Sequence, residues 1–131
     1  MGYRSDVKYV MLFNTEENRQ AFKLEAMLVA ADINSGLDVI NNDWDYHIDN
    51  SDEYPYQIRV HYNDIKWYES TPWVDLQIKL MQLVSKTYEG AFVFLRLGEE
   101  DDDIDTQTDA YNNEGVYVDN YIELTRRSNF V

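Results

Sequence analysis

Three stretches of the chain have the apolar character of β-strands, whose side chains alternate between two faces. Tyr9 to Phe13 is apolar on both faces, and we therefore expect it to be a central strand of its sheet. Ala91 to Leu97 is the most apolar stretch and is also expected inside the sheet. Val116 to Leu124 alternates apolar with polar residues, which predicts a last strand with one face in solvent.

The pattern is less uniform in the middle of the chain. Tyr56 to Tyr62 alternates and predicts a half-buried strand, which could continue to Trp67 through a kink or bulge near Asn63-Asp64. The positions from Trp44 to Ile48 also alternate, but among many Asp and Asn residues. Either a short strand or an anchored loop fits this segment.

Helical spacing follows the first strand. Asn14 is the predicted N-cap, with Glu17 at the capping-box position. Gly36, after Asn34-Ser35, is expected to end the helix in a left-handed conformation. The stripe expected to face the core is Ala21, Leu24, Leu28 and Ala31, widened by Phe22 and Met27.

A second helix is predicted from Thr71 as N-cap, with Pro72 in the first helical position and Gly90 at the end. Its apolar side comprises Trp73, Leu76, Leu80, Leu83 and Val84, widened by Ile78 and Met81. The predicted order is strand, helix, strand, helix, strand, strand. This order favours a single α+β domain over residues 1–131, with a mostly antiparallel sheet and two helices on one face.

Charge limits the kinds of partner. Of 131 residues, 11 are Lys or Arg and 25 are Asp or Glu, which gives a formal net charge of −14. Such a surface repels phosphate backbones and anionic lipid headgroups, so we expect neither direct nucleic-acid binding nor membrane association. A basic protein is the favoured partner, and the alternative is that the charge serves only solubility.

Cysteine is absent, which excludes disulfides, thiolate metal sites and Cys nucleophiles. The N-terminal residues show neither a secretory signal nor a myristoylation pattern, and the longest apolar stretch is too short for a bilayer. A cytoplasmic protein is therefore expected, with its oligomeric state left open.

Two acidic segments are candidate partner-binding surfaces. Glu99 to Asp105 holds six acids in seven residues, and Asp43 to Glu53 lies within a long stretch that lacks Lys and Arg. Crowded carboxylates stay solvated or meet a cation or a basic partner. The acids expected to contact the partner are Glu99, Glu100, Asp101, Asp102, Asp103, Asp105, Asp43 and Asp45.

Aromatic residues are concentrated between positions 44 and 73. Large rings usually pack in the core. Alternatively, Trp44, Tyr54 and Tyr68 could stay exposed beside the acids as a binding hot spot with a negative rim. These three residues are therefore included among the candidate partner-binding residues.

The acidic loop also matches part of a calcium-binding pattern. In the order of the EF-hand ligand positions, the oxygen-bearing residues are Asp103, Asp105, Gln107, Asp109, Tyr111 and Glu114. Thr108 stands where the sharp turn needs Gly, and the flanking segments resemble strands. Asp103, Asp105, Asp109 and Glu114 are the candidate metal ligands, although a solvated or partner-facing loop is favoured.

No catalytic motif is visible. Neither His47 nor His61 has a second ligand or an oriented nucleophile at a suggestive spacing. No nucleophile elbow or Gly-rich phosphate loop is present. We therefore expect a non-enzymatic protein without a cofactor.

Three short strings resemble those of small, uncharacterised bacteriophage and prophage proteins. They are Gly2-Tyr3-Arg4-Ser5-Asp6-Val7, Lys66-Trp67-Tyr68-Glu69-Ser70 with Pro72, and Phe94-Leu95-Arg96-Leu97-Gly98-Glu99 followed by Asp102-Asp103-Ile104. The resemblance implies a phage-encoded protein made inside a bacterium, and it carries no catalytic residues over. Within the strings, Arg4, Arg96 and Glu99 could form an internal ion-pair cluster.

These observations favour an acidic phage-type protein that binds a basic surface of a host nucleic-acid-handling protein, as an inhibitor or nucleic-acid mimic. One alternative is a small phage structural or assembly protein that self-associates through its aromatic residues. The other is a divalent-cation-binding module that uses the four candidate ligands.

Overall fold

The computed structural model describes residues 2–50, 53–112, 115–123 and 130–131. Its elements are β1 (Ser5–Phe13), α1 (Glu16–Ala30), α2 (Gly36–Asp38), β2 (Asp45–Ile48), β3 (Tyr56–Ile65), α3 (Pro72–Thr87), β4 (Ala91–Leu97) and β5 (Ile104–Ala110). A π-helical turn, Val39–Asp43, follows α2 directly, and a 3₁₀ turn, Val118–Asn120, follows β5. The α+β class is confirmed, whereas the predicted order lacks α2 and β2 and misplaces the last strand. No helix in the described part of the chain is long and apolar enough to cross a membrane.

The strands form one sheet in the order β2-β3-β1-β4-β5, and every pairing is antiparallel. β1 is central and β4 has a neighbour on each side, as their apolar faces predict. The bulge expected in β3 is present. Tyr62 lies opposite Val7 and Ile65 opposite Ser5, so two residues of β3 face one of β1. Asp64 has a φ of 52° at this bulge.

α1 and α3 pack on the same face of the sheet, as predicted. β1 contributes alternate side chains to this core, namely Val7, Tyr9, Met11 and Phe13. α3 follows its predicted pattern, because Leu76, Leu80, Met81 and Val84 are buried while Trp73, Ile78 and Leu83 are partly buried. Its N-cap is Thr71, and Pro72 is its first residue.

The side of α1 that faces the core is opposite to the side that its leucines predict. Leu24 and Leu28 are 66% and 78% exposed, and Ala21 and Ala31 are exposed beside them. The buried apolar positions are Phe22, Ala26 and Ala30. The Phe22 ring stacks on Trp44 in the core, and the two small alanines let the helix approach the sheet closely.

The ends of α1 also differ from the prediction. Thr15 rather than Asn14 is the N-cap, and its side chain accepts a hydrogen bond from the Asn18 N–H at 3.1 Å. The left-handed residue after the helix is Ser35, with a φ of 63°, whereas Gly36 begins α2. Gly36 is required for close approach, because a Cβ there would lie 2.5 Å from the Ala30 carbonyl oxygen.

Irregular chain covers the second face of the sheet. Val118 and Ile122 pack there with Tyr54 on side chains of β1 and β4. Of the strand predicted from Val116 to Leu124, the described residues contain only an isolated β-bridge between Ile122 and Phe130. The Ile122 N–H bonds to the Val118 carbonyl at 2.8 Å and closes a helical turn instead. Positions four apart share a side in a helical turn and also in a strand, so the apolar pattern does not separate the two. Leu124 lies outside the described residues.

The last strand, β5, lies inside the segment that the sequence predicts to be an acidic loop. β5 pairs with β4 along its whole length, from Ile104 opposite Leu97 to Ala110 opposite Ala91. It is an edge strand, and most of its side chains are exposed. An exposed polar edge strand lacks the apolar alternation that identifies a strand in sequence.

Candidate protein-interaction surface

Seven acidic residues gather at the end of the sheet where β1 begins. We call this set the acidic end: Asp6, Asp64, Glu99, Glu100, Asp101, Asp102 and Asp103. β1 supplies Asp6, the bulge of β3 supplies Asp64, and the others belong to the connection between β4 and β5. The antiparallel pairing brings them together, because the start of β1 lies beside the last residues of β3 and β4.

Asp103 anchors the acidic end. Arg96 binds both of its carboxylate oxygens, with Nη2–Oδ1 and Nη1–Oδ2 distances of 2.8 and 3.1 Å. The Tyr3 hydroxyl donates a hydrogen bond to Oδ2 at 2.5 Å. These contacts raise the pKa of Tyr3 and the pKa of Arg96, because the carboxylate favours the protonated form of each partner. Asp103 is therefore committed to the fold, although the sequence suggests that it contacts a partner.

Gly98 allows the anchor to form. A Cβ at this position would overlap both Asp103 Oδ2 and the Tyr3 hydroxyl. The Gly98 N–H donates to the Asp103 carbonyl at 2.8 Å, and the Glu100 N–H donates to the Tyr3 hydroxyl oxygen at 3.3 Å. The acidic connection is thus tied both to itself and to the N-terminal segment.

Arg4 and Asp6 join the N-terminal segment to the bulge. The Arg4 N–H donates to Glu99 Oε1 at 3.0 Å, and its guanidinium donates to the Asp64 carbonyl at 3.0 Å. The Asp64 N–H donates to Asp6 Oδ1 at 2.9 Å. A cleft of about 180 Å³ lies between these groups and residues 97–99. The expected ion-pair cluster of Arg4, Arg96 and Glu99 is wrong for Arg96, which forms its ion pair with Asp103.

The three strings that carry the phage resemblance meet at this end. The Tyr68 hydroxyl donates to the Tyr3 carbonyl at 3.3 Å, and Arg96 donates to Ser5 Oγ at 3.2 Å. A Cβ on Gly2 would lie 2.6 Å from the Tyr68 hydroxyl. Residues far apart in the sequence therefore meet beside the acids.

The connection between β4 and β5 presents its carboxylates to solvent. Glu99, Glu100, Asp101 and Asp102 are exposed. The Asp103 N–H donates to the Glu100 carbonyl at 3.1 Å, which closes the turn. A backbone held at both ends keeps these charges close together and fixed relative to the sheet. Such an array can attract and orient a basic surface.

The strand of the second acidic segment, β2, lies at the opposite edge of the sheet. It is separated from β5 by three strands, which puts about 19 Å between the two edges. Asp45 is exposed on β2 and Asp105 is half-exposed on β5. The structure does not bring the two segments together.

Asp43 belongs to a partly buried series of hydrogen-bonded side chains rather than to a fully exposed acidic surface. Its Oδ2 accepts a hydrogen bond from the Tyr62 hydroxyl at 2.6 Å. The Tyr62 hydroxyl also lies 3.3 Å from Gln77 Oε1, which accepts from the Tyr9 hydroxyl at 2.5 Å. Burial raises the pKa of Tyr9 and the pKa of Tyr62. Both phenols therefore stay protonated and can donate these hydrogen bonds.

Two of the three aromatic candidates pack in the core, as large rings usually do, and the alternative of exposure is wrong for these two. Trp44 and Tyr54 are 6% and 3% exposed. Trp44 stacks on Phe22 under the helices, and Tyr54 packs in the core of the second face, because burying a large ring outweighs exposing it beside acids. Tyr68 is 39% exposed and borders the acidic end. It alone of the three can contact a partner there.

The segment that matches part of the EF-hand pattern falls largely on the strand β5. EF-hand ligands curl around one ion, whereas residues of a strand point alternately to its two faces. Asp105 lies opposite Arg96, and Asp109 accepts a hydrogen bond from the Ser85 hydroxyl at 2.7 Å. Glu114 lies outside the described residues. Within residues 2–50, 53–112, 115–123 and 130–131, no group of three or more His, Asp or Glu is placed to hold a metal ion.

Comparison with protein-family models, with curated proteins and with solved structures found no match. The contacts of the acidic end are therefore the basis for a functional assignment. His61 lies 2.7 Å from Asn63 Oδ1 on an exposed part of β3, and His47 offers its carbonyl to Arg19. That the chain is not an enzyme stays a prediction.

Sequence analysis missed three members of this surface, namely Tyr3, Asp6 and Asp64. Each becomes part of it only through strand pairing or through a hydrogen bond across the sheet end. The available signal was the set of three resembling strings, whose polar residues flank the ends of strands. Their shared location is a property of the antiparallel order.

Proposed function

We propose that the acidic end binds a basic, nucleic-acid-handling protein of the bacterium in which a phage-encoded chain is made, and competes there with nucleic acid. The observation that carries the proposal is the anchored turn. Asp103 is fixed by Arg96 and Tyr3, and the acids that precede it are exposed. The protein acts by occupying a surface, without catalysis and without a cofactor.

The chemistry of the turn suits a surface that binds phosphates. Arg and Lys side chains make charge-assisted hydrogen bonds with carboxylates as they do with phosphates. A surface that holds a nucleic-acid backbone therefore accepts a dense group of fixed carboxylates. Fixing them before binding reduces the conformational entropy lost on association.

The net charge of the whole chain assists the same encounter. A formal charge of −14 attracts a basic partner from a distance, and salt screens this attraction. Charge alone does not choose a face of the protein. The anchored turn supplies the local geometry that would distinguish a specific complex from general attraction.

The test uses two variants that remove equal charge from different places. The turn variant is Glu100→Gln/Asp101→Asn/Asp102→Asn, which leaves the anchor Asp103 intact. The edge variant is Asp45→Asn/Asp49→Asn/Glu53→Gln at the far side of the sheet. Wild type and both variants are immobilised and exposed to bacterial lysate at low salt, and the captured proteins are eluted with duplex DNA.

A basic protein that duplex DNA displaces, and that the edge variant captures but the turn variant does not, supports the proposal. Equal losses in the two variants would show attraction by net charge alone. Capture of nothing by wild type would leave the acidic surface with a solubilising role. Either of these two results overturns the proposal.

A further inference from the structure

The outer side of β5 is an open edge of the sheet. β5 pairs with β4 on one side, and no strand in the described part of the chain pairs with its other side. The two edges differ, because β2 has four residues whereas β5 has seven and pairs without a register shift. Natural edge strands commonly prevent further pairing by being short, or by a bulge, a Pro or a Lys. β5 has none of these features, and its only charged residues are Asp105 and Asp109.

The direction of the backbone groups of β5 follows from the hydrogen bond at its end. Just beyond the strand, the Tyr111 N–H donates to the Gly90 carbonyl at 2.9 Å. Alternate residues of an antiparallel strand bond to the same neighbour, so the odd-numbered positions of β5 bond to β4. Thr106 and Thr108 therefore direct their N–H and C=O groups outward, and both residues are exposed. Outward N–H and C=O groups in a row are a template for an added strand.

Charge decides which kind of strand fits this edge. Asp105 and Asp109 lie on the helix side of β5, and among the described residues neither of them forms an ion pair. The guanidinium opposite Asp105 is that of Arg96, which is already bound to Asp103. The sequence has no Lys or Arg between Arg96 and Arg126. The negative charge of the acidic turn therefore continues along β5, and it favours a strand that carries Lys or Arg.

A second copy of this chain does not fit the edge. If two β5 strands paired antiparallel through their threonines, Asp105 of each copy would lie opposite Asp109 of the other. Like charges directly opposite each other destabilise a strand pair. The net charge of −14 on each copy adds to this repulsion. In a basic strand, cations take the positions of the second copy's carboxylates, and the repulsion becomes attraction.

We infer that an extended, basic segment of the partner adds to the sheet as a strand beside β5. This inference rests on the proposed function, because it names the part of the basic protein that binds next to the acidic turn. Backbone pairing at Thr106 and Thr108 fixes the position of the added strand. Its side chains alternate between two faces, so Lys or Arg at every second position lies beside Asp105, Gln107 and Asp109.

The other face of the added strand meets an apolar position. Ile104 lies opposite Leu97, which is buried in the core of the second face. Ile104 is nevertheless 52% exposed, because β5 has a neighbouring strand on one side only. A β-branched residue of the added strand would cover it. The edge therefore favours a segment in which basic and β-branched residues alternate over a segment of equal charge without this alternation.

The probe is a short synthetic peptide in which lysine alternates with threonine. A control peptide of the same composition has its lysines in one block, so it keeps the charge and loses the alternation. Amide hydrogen exchange of the full chain is followed by NMR at low salt, with and without saturating peptide. We expect the alternating peptide to slow exchange at Thr106 and Thr108 at least about tenfold. The Gln107 amide, which already bonds to β4, should change less.

The matched variants are Thr108→Pro and Thr108→Ala. Both remove the same side chain and leave the charge unchanged, but only the proline removes the outward N–H. The pairing of β5 with β4 does not use this N–H, so an edge strand tolerates the proline, and slow exchange at Gln107 verifies that the pairing persists. We expect the alternating peptide to bind Thr108→Pro at least about tenfold more weakly than Thr108→Ala.

Four results would overturn the inference. The first three are peptide binding that leaves exchange at Thr106 and Thr108 unchanged, equal slowing by the two peptides, and equal affinity of the alternating peptide for Thr108→Pro and Thr108→Ala. The fourth is exchange at the two threonines that slows with rising protein concentration in the absence of peptide, which would assign the edge to a second copy.

Capture from bacterial lysate separates this inference from the proposed function. A DNA-displaced protein that Thr108→Ala captures and Thr108→Pro does not supports the added strand. Equal capture by the two variants would keep the proposed function and overturn the added strand. Capture of nothing by wild type would overturn the proposed function, whereas slowed exchange at Thr106 and Thr108 with the alternating peptide would still support the edge as a site for basic strands.

Discussion

Two acidic segments lie at opposite edges of one sheet, and they do different things with the same residue types. In the segment that contains β2, Asp43 and Asp45 flank Trp44, whose ring packs inward, and Asp43 is bound by the Tyr62 hydroxyl. In the connection between β4 and β5, one acid is bound by Arg96 and Tyr3 while those before it are exposed. The first segment uses its acids at an edge of the fold. In the second segment, the contacts of Asp103 fix the turn on which the other acids are exposed.

The contrast shows that acid count does not identify a binding surface. Carboxylates on an edge strand discourage pairing with other sheets, a role that needs no partner. Carboxylates on an anchored turn are held in place before any partner arrives. What separates the two is a tertiary contact of Asp103 with residues far away in the sequence.

The largest expected effect belongs to the aromatic side of the β2 segment. Trp44→Ala should lower the free energy of unfolding by about 3–5 kcal/mol, because it removes a buried ring stacked on Phe22. Urea unfolding measures this. The matched change Tyr68→Ala removes an exposed ring and should cost less than about 1.5 kcal/mol. Equal costs would contradict the structural role assigned to Trp44.

The anchor of the acidic end should matter less, but measurably. Asp103→Asn weakens the contacts with Arg96 and Tyr3, and should cost about 1–2 kcal/mol of unfolding free energy. Asp102→Asn, the same change one residue earlier at an exposed position, should stay within about 0.5 kcal/mol of wild type. If the two variants were equally stable, Asp103 would be another solvated acid.

The smallest expected effect is in the titration of Tyr3. Its hydrogen bond to Asp103 raises the pKa of the phenol. The stability from this contact is fully present below the unfolded pKa of about 10 and is lost as the pH rises through the folded pKa. Ring ¹³C NMR should show Asp103→Asn returning the Tyr3 pKa toward about 10, while Asp102→Asn leaves it raised. If neither change altered the pKa of Tyr3, the hydrogen bond between Tyr3 and Asp103 would be excluded.

The sequence predicts elements correctly where one physical cause dominates. β1 and β4 are recognisable because both of their faces are buried, and the β3 bulge because Asn63-Asp64 interrupts its alternation. α1 has apolar residues on two sides, so its periodicity is real but does not say which side meets the sheet. The polar strand β5 has no apolar signal, because its order comes from pairing with β4.

The candidate site is less predictable from sequence than the fold. The acidic turn is visible in the sequence, but its anchor is not. Tyr3 and Asp103 are a hundred positions apart and meet only because the start of β1 lies beside the end of β4. Burial of Trp44 and Tyr54 follows the usual tendency of large rings, but the sequence does not say which core each ring enters, because both cores are built from several elements.

The central claim is that the acidic end, and not acidity in general, forms the binding surface. Amide chemical-shift mapping with a short lysine-rich peptide at low salt tests it without a known partner. We predict saturable shifts at Glu100, Asp101, Asp102 and around the cleft at Asp64, with much smaller shifts from Asp45 to Asp49. Shifts of equal size at both edges of the sheet, or larger shifts at the β2 edge, would contradict it.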